Sequence, residues 1–428
     1  MNILMMTNTY LPHIGGVARS VEAFSLYYRN QGHRVLIIAP EFPQMPEHED
    51  DVIRIAAIQR FNGSDFSVVL PVPHLLGEEI DAFEPDIVHS HHPFLIGSTA
   101  RLVAKKYNIP LVFTHHTMYE QYSHYVPGDA ETLQRFAVKL ATSYANMCDQ
   151  VFAPSESIAH ILEQRKVVVP IEVIATGVNL NEFTHGSGCG FREIMGIPND
   201  AFVVGHLGRL APEKNLEYLC DAVQIFIQKQ PRAHFLLVGK GSSKNQLVQS
   251  FAKAGLSHRL HTVGFLEQPF LSSAYQAMDV FVFSSQSETQ GMVLTEAMAV
   301  SLPVIALDAP GVREVVEDNH NGRLLSAQAG KDEFANALLN YFAMSDAQKQ
   351  TFRYAARATA ESYSLDLCAT KALKKYTELL GKGYIHRHRD HQIWTDIMNL
   401  IEAEYDILKG ITKAAVHAVT HQNYDKNP

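Results

Sequence analysis

Cysteine is scarce in this 428-residue chain, and no long apolar run is present. The four cysteines are far apart and form no Cys-x-x-Cys pair, which argues against a disulfide framework and indicates reduced thiols. No apolar run approaches the roughly 20 residues that a membrane-spanning helix needs. The first residues follow a strand pattern in place of a signal peptide, so we expect a cytoplasmic protein whose contact with a membrane is peripheral.

Acidic residues outnumber basic ones, and two ligand-binding motifs are missing. The formal net charge of −9 argues against a general nucleic-acid binder. The Gly-x-Gly-x-x-Gly fingerprint of dinucleotide-binding folds is absent. No Asp-x-Asp pair occurs that could hold a divalent ion, so we expect neither a metal nor a cofactor.

Apolar, β-rich runs alternate with helical patterns in two successive series. Uniformly apolar strands separated by helices are typical of parallel sheets covered on both faces. We therefore predict an α/β fold with two doubly wound, Rossmann-like domains, residues 1–185 and 198–362, joined through the Gly- and Asn-rich stretch 179–199. Strand-end loops of both domains should form one cleft. The runs are Asn2–Thr7, Val35–Pro40, Asp86–Ser90, Leu111–His115, Gln150–Pro154, Ile171–Thr176, Phe202–Leu207, His234–Val238, Leu260–Val263, Val280–Phe283 and Pro303–Leu307.

The most informative segment runs from Ser284 to Met298. It follows an apolar run, turns through Gly291, and enters an apolar helical run, with Glu288 and Glu296 eight positions apart. Glycine lets the backbone approach a ligand closely, and a helix N-terminus favours an anion. The segment therefore predicts a site for a nucleotide diphosphate. It resembles the Glu-x7-Glu motif of the retaining glycosyltransferases of family 4.

Two earlier loops resemble the same family. Gly15 and Gly16 lie between the first strand and the first helix, where the family's Gly-Gly loop faces the donor's phosphate; a plain structural turn is the alternative. Arg209 and Lys214 follow a buried strand and match the cations with which the family grips the diphosphate. They would neutralise the negative charge that builds up on the leaving group.

The resemblance implies a GT-B fold and a site for a nucleotide diphosphate sugar, for which UDP-glucose is our expectation. Glu296 would accept both ribose hydroxyls, and Glu288 would face the transferred sugar. The loop from Asp308 to Glu314 resembles the one that closes family 4 donor sites, although it also fits an ordinary strand-to-helix turn. The implied donor-binding residues are Gly15, Gly16, Arg209, Lys214, Gly264, Phe265, Gly291, Met292, Val293 and Glu296.

Histidine and tyrosine are concentrated in the segment from Thr114 to Tyr125, directly after a predicted strand. Such a cluster at a strand end is a site hypothesis, whereas an isolated buried histidine is usually only packed. The pattern resembles the bacterial family 4 enzymes that glucosylate diacylglycerol. The resemblance places His116 beside the reactive carbon of the sugar, with His115 as the competing ring, so the catalytic pair is His116 and Glu288. The implied acceptor-binding residues are Tyr119, Tyr122, His124 and Tyr125.

These patterns predict a retaining transfer of a hexosyl unit to a diacylglycerol-type lipid. A saccharide, polyprenyl-linked or phosphatidylinositol acceptor, an epimerase, and a silent nucleotide-sugar sensor are the alternatives. A helix over 363–380 should cross back to the first domain, and 381–428 should form a helical tail of unknown role. Helical spacing also predicts peripheral docking on an anionic membrane through Arg101, Lys105, Arg135 and Lys139.

Overall fold

Two parallel sheets organise the chain in the computed structural model, which describes residues 1–13, 15–58, 68–69, 77–118 and 130–382. The first sheet has seven strands in the order β3-β2-β1-β6-β7-β8-β9, and every pair in it is parallel. A short antiparallel pair, β4 and β5, stands apart from it. The strands of the sheet are β1 (Asn2–Met6), β2 (Arg34–Pro40), β3 (Val52–Ile55), β6 (Ile87–Ser90), β7 (Leu111–Thr114), β8 (Gln150–Ala153) and β9 (Ile171–Val173), and those of the separate pair are β4 (Ala57–Ile58) and β5 (Val68–Val69).

The second sheet has six parallel strands in the order β12-β11-β10-β13-β14-β15. In both sheets the strand order reverses beside the first strand, between β1 and β6 and between β10 and β13. Ligands of open α/β sheets bind at such switch points. The strands are β10 (Phe202–Leu207), β11 (Ala233–Val238), β12 (Leu260–Val263), β13 (Val280–Phe283), β14 (Val304–Leu307) and β15 (Gly322–Leu325).

Helices cover both sheets and make the central strands almost fully buried. Every predicted run contains a strand, so the predicted α/β class with two Rossmann-like sheets is confirmed. The helices are α1 (Gly16–Asn30), α2 (Gly77–Phe83), α3 (Ile96–Tyr107), α4 (Ala130–Ala145), α5 (Glu156–Gln164), α6 (Gly188–Met195), α7 (Leu216–Lys229), α8 (Lys244–Lys253), α9 (Phe270–Gln276), α10 (Met292–Ala299), α11 (Lys331–Phe342), α12 (Asp346–Ser362) and α13 (Leu365–Gly381).

The prediction missed β3 and β15, which lie at the edges of their sheets. Each has an arginine in its middle, Arg54 or Arg323, and is only partly buried, so neither forms a uniform apolar run. Arg54 is held by both carboxylate oxygens of Glu49 at 2.6 and 2.7 Å. The predicted joint also differs from a plain linker, because α6 begins inside it, capped by the Ser187 hydroxyl, which accepts a hydrogen bond from the Gly190 amide.

The chain returns to the first sheet between α12 and α13. Val178 exchanges backbone hydrogen bonds with Tyr363 and Leu365, at 2.8 and 2.9 Å, where the chain crosses. The helix α13 then packs on α1, with the Tyr28 and Tyr376 rings 5.7 Å apart. Of the predicted tail, residues 381–428, all but the first two lie outside the described residues.

Candidate active site

Loops at the carboxyl ends of both sheets meet through direct hydrogen bonds. Thr289, which follows β13, donates its hydroxyl to the carbonyl oxygen of His116 at 2.9 Å. Ser155, after β8, donates to the Thr289 carbonyl at 2.7 Å. The amide of Thr176 donates to the side-chain oxygen of Gln290 at 2.8 Å. The predicted catalytic segments of the two domains, which contain His116 and Glu288, are therefore brought together.

Two helices begin opposite each other in this cleft. The helix α1 starts at Gly16 after an extended Gly15, and α10 starts after Gly291, whose φ of 74° is in the left-handed region that favours glycine. A Cβ atom placed on Gly16 would lie 3.8 Å from the sulfur of Met292. First-turn amides of a helix, here including that of Val293, have no intrahelical acceptor and favour anions. The pair of helix starts therefore suits a diphosphate.

Lys214 and Glu288 form a short ion pair in the same cleft. Their side chains are 16% and 17% exposed. Burial alone would raise the pKa of Glu288, but Lys214, together with a hydrogen bond from Ser285, lowers that pKa below its ordinary value. Glu288 is therefore a carboxylate at neutral pH, and Lys214 is held where it can meet a phosphate.

The second predicted cation, Arg209, is also paired. Its guanidinium lies 2.5 Å from a carboxylate oxygen of Glu213, four residues further on. The Arg209 side chain is 36% exposed, whereas that of Glu213 is 7% exposed. Both predicted diphosphate ligands, Arg209 and Lys214, thus have a carboxylate partner.

Glu296 lies on α10 and is held by two residues that the sequence analysis missed. Arg19 of α1 contacts one carboxylate oxygen at 3.3 Å, and the Tyr275 hydroxyl donates to the other at 2.8 Å. Burial raises the pKa of Glu296, and Arg19 and Tyr275 partly oppose that rise. Arg19 stands one helical turn beyond Gly15, a spacing that could have placed it in the cleft, whereas no sequence signal marks Tyr275.

The structure distinguishes the two histidines after β7. His115 is 2% exposed and packs edge-on against Phe113, whereas His116 is partly exposed. The Nε2 atom of His116 lies 2.9 Å from Nδ1 of His91, in the loop after β6. Burial lowers the pKa of His115 to about 3 and places that of His116 well below its ordinary value. Both rings are therefore neutral at pH 7.

The remaining predicted donor residues also lie at strand ends. Gly264 and Phe265 follow β12 and are half-buried, and a Cβ atom on Gly264 would lie 3.3 Å from Cε of Lys240. The loop after β14 contains Gly311, with a φ of 74°, where an added Cβ atom would lie 2.6 Å from the Gln290 nitrogen. That loop therefore packs directly on the segment between the two predicted glutamates.

Some predictions cannot be placed. Tyr119, Tyr122, His124 and Tyr125 lie outside the described residues. Within the described ranges, no group of three or more His, Cys, Asp or Glu side chains could hold a metal ion. The same ranges contain no helix that is both long and apolar enough to span a membrane.

Two family models match the chain. Residues 14–182 match the model described as Glycosyltransferase Family 4, and residues 191–359 match the one described as Glycosyl transferases group 1. An alpha-monoglucosyldiacylglycerol synthase of Acholeplasma laidlawii is 32% identical over 75% of this chain and 84% of its own. A GDP-mannose-dependent alpha-mannosyltransferase of Mycolicibacterium smegmatis is 27% identical over 89% of this chain and 98% of its own.

Solved structures share the architecture. The Anabaena protein HepE in complex with UDP has a TM-score of 0.70 at 22% identity, over 88% of this chain and all 100% of its own. Sucrose-phosphate synthase from Thermosynechococcus elongatus has a TM-score of 0.74 at 20% identity, over 89% and 100%. The expected GT-B fold is confirmed by these likenesses.

Proposed function

We propose, because this chain belongs to glycosyltransferase family 4, that it transfers a glucosyl unit from UDP-glucose to a diacylglycerol-type membrane lipid with retention of the anomeric configuration. The chain is a glycosyltransferase; the sugar, the acceptor and the stereochemistry are the proposal. One observation supports the donor half most directly. The Lys214–Glu288 pair lies in the cleft at which α1 and α10 begin, so a cation, a carboxylate and two sets of free amides converge.

Each group has a distinct task in this proposal. Lys214, Arg209 and the first-turn amides of α10 would hold the diphosphate and stabilise its charge as the glycosidic bond breaks. Glu296 would accept the ribose hydroxyls, and Glu288 would face the sugar. These fixed charges would do the work without a metal.

The proposed reaction uses positioning and electrostatics in place of an enzyme nucleophile. The acceptor hydroxyl would attack from the face on which the diphosphate leaves, and the departing phosphate oxygen would take the hydroxyl proton. The carbonyl of His116 is fixed by Thr289, one residue beyond Glu288, which ties the geometry of the acceptor side to that of the donor loop.

The acceptor half rests on two supports. The Acholeplasma relative is named for glucosyldiacylglycerol synthesis. In addition, a groove of about 410 Å³ runs along α4 and carries the cations Arg135, Lys139 and Arg165. On α3, Leu102 is 50% exposed one residue after Arg101. Basic groups beside exposed apolar side chains suit a shallow contact with an anionic bilayer.

Transfer assays test the donor and the acceptor together. The purified protein is incubated with labelled UDP-glucose, GDP-mannose or UDP-N-acetylglucosamine and with diacylglycerol vesicles, and the organic phase is analysed. We expect lipid-linked glucose in the α configuration. Lys214→Ala should lower turnover by roughly 10²–10³, as the loss of one transition-state donor does elsewhere. Lipid-linked mannose formed only from GDP-mannose would favour the second candidate, suggested by the mannosyltransferase that covers 89% of the chain.

Vesicle sedimentation tests the membrane contact. Binding should rise with the fraction of anionic lipid and fall with salt, since each basic residue near the surface contributes about 1 kcal/mol. Arg135→Ser with Lys139→Ser should weaken it. The matched control changes two exposed lysines on the second domain, Lys229 and Lys253, to Ser. Equal losses in both double variants would show a general charge effect and no dedicated surface.

A further inference from the structure

The hydrogen bond between His91 and His116 restricts where the protons of the two rings can be. His91 follows β6 and is 1% exposed. Its Nδ1 atom lies 2.9 Å from Nε2 of His116, and the rings stack with centroids 5.2 Å apart and an interplanar angle of 23°. Burial places the pKa of both rings well below the ordinary value, so each neutral ring carries one proton. One of the two facing nitrogens must donate, and the other must accept.

The outer nitrogen of His91 decides between the two arrangements. Its Nε2 atom is buried and finds no hydrogen-bond partner in the part of the chain that the structure describes. If His116 donated, His91 would carry its proton on Nε2 and bury an N–H group with no acceptor. A buried polar group left unpaired costs about 1–3 kcal/mol, and orphaned N–H donors are rarer than unsatisfied acceptors. The arrangement of lower free energy therefore places the proton of His91 on Nδ1.

The neighbouring ring of His89 has no ring nitrogen left to hydrogen-bond with His91. The ring of His89, 4.1 Å away, has both nitrogens engaged, with the Tyr376 hydroxyl at 2.5 Å and the Thr114 hydroxyl at 2.7 Å. Around His91 and His116 lies a cavity of only about 10 Å³, also lined by Ser20. That is at the lower limit for one water molecule. A water bound there could accept from Nε2 of His91 and reverse the assignment, so the test must separate the two cases.

We propose that His91 is a positioning residue that holds His116 in the tautomer protonated on Nδ1, so that His116 meets its ligand as a hydrogen-bond donor. Among the described residues, Nδ1 of His116 makes no hydrogen bond, so it is the ring nitrogen left for a substrate oxygen. A ring whose Nε2 atom accepts from His91 and whose Nδ1 atom carries the proton has no lone pair for a substrate proton. His116 is then not the base for the acceptor hydroxyl.

The tautomer can be read directly, whatever the substrate is. Long-range ¹H–¹⁵N spectra of the full chain with ring-labelled histidine distinguish a protonated from an unprotonated ring nitrogen. Signals are assigned from spectra of His91→Asn and His116→Asn. We expect His116 protonated on Nδ1 and His91 protonated on Nδ1 between pH 6 and 8. Protonation of His116 on Nε2, or a charged His116 ring in this range, overturns the proposal.

A matched pair of variants gives the second readout, which rests on the proposed transfer. In His91→Asn, the amide nitrogen can occupy the place of Nδ1 and donate to His116. His91→Leu has a similar shape and no donor. Losing one net hydrogen bond of about 1 kcal/mol should lower kcat roughly five- to tenfold in the Leu variant, while KM for the donor sugar stays constant and Asn restores most of kcat.

The two variants also separate a structural role from positioning. Equal losses of kcat in both, accompanied by equal falls in Tm, would show that His91 only fills space and would overturn the proposal. If the chosen sugar or lipid is wrong, neither the wild type nor the variants show turnover, and the NMR result alone decides the tautomer. Failure of the proposed function is thereby distinguished from failure of this inference.

Discussion

Four buried histidines should make the folded protein sensitive to mild acid. Burial lowers the pKa of three of them to about 3 and of the fourth, His206, to about 4. Between pH 6.5 and about 4 the unfolded chain therefore binds more protons than the folded chain. The free energy of unfolding must fall as the pH falls through that window. The histidines are His89, His92, His115 and His206, at 4%, 9%, 2% and 1% exposure.

The size of the effect follows from proton linkage. For a histidine that titrates near pH 6.5 when unfolded and stays neutral when folded, lowering the pH from 7 to 5.5 costs about 1.3 kcal/mol. Four such groups cost about 5 kcal/mol, a large part of the roughly 5–15 kcal/mol that stabilises a typical protein. Burial raises the pKa of Glu22 and of Glu296, which works in the opposite direction.

Denaturant unfolding between pH 7.5 and 5 measures this loss. About six protons should be taken up on unfolding at pH 5.5, because burial also lowers the pKa of His91, His116 and His234. In His206→Asn the amide can replace Nδ1, which lies 2.9 Å from the carbonyl of Val282, and the uptake should fall by about one. His320→Asn, at an exposed histidine, is the control for the substitution itself. A free energy of unfolding that stays constant between pH 7 and 5.5 would refute the reasoning.

Three further outcomes are expected. Glu288→Gln should cripple transfer yet bind UDP several-fold more tightly, because Lys214 loses the carboxylate that competes for it. Calorimetry measures the affinity, and an unchanged affinity for UDP would argue against the pairing. Gly311→Ala should lower the free energy of unfolding by about 1–3 kcal/mol, because Gly311 has a positive φ and an added Cβ atom would collide with Gln290. Gly330→Ala is the control, since Gly330 has a φ of −70° and open space around it. Thermal melts of both variants measure the difference. EDTA should leave turnover unchanged; inhibition reversed by one divalent metal would contradict a metal-free site.

The central strands could be predicted from the sequence because both of their faces are buried. Such strands read as uninterrupted apolar runs, as β13 does with Val280 to Phe283 all buried. The two edge strands that the prediction missed, β3 and β15, carry Arg54 and Arg323, whose partners Glu49 and Asp318 satisfy the charge at the sheet margin. A pattern search for apolar runs cannot see such strands. Their presence depends on pairing with β2 and β14, which is a tertiary contact.

The candidate site, too, could be predicted from the sequence only in part. Glycines and charged residues placed after strands indicated a shared cleft, because parallel strands end at the same edge. The partners within the cleft did not follow from spacing. Arg19 meets Glu296 across 277 residues of sequence, and Lys214 meets Glu288 across 74. The first pair depends on how one domain faces the other, and the second on how the loops after β10 and β13 of one sheet meet. Local periodicity encodes neither.

The ion pairs also indicate how a donor must enter. Lys214, Arg209 and Glu296 each have a partner of opposite charge, so none of these three groups bears its desolvation cost alone. In the proposed function, a nucleotide diphosphate that binds Lys214 and Arg209 would compete for them with Glu288 and Glu213. Binding is then an exchange of partners, and only the difference between the old and new contacts appears as affinity. In the proposed mechanism, the carboxylate of Glu288, released from Lys214, would become available to a sugar hydroxyl as the diphosphate binds.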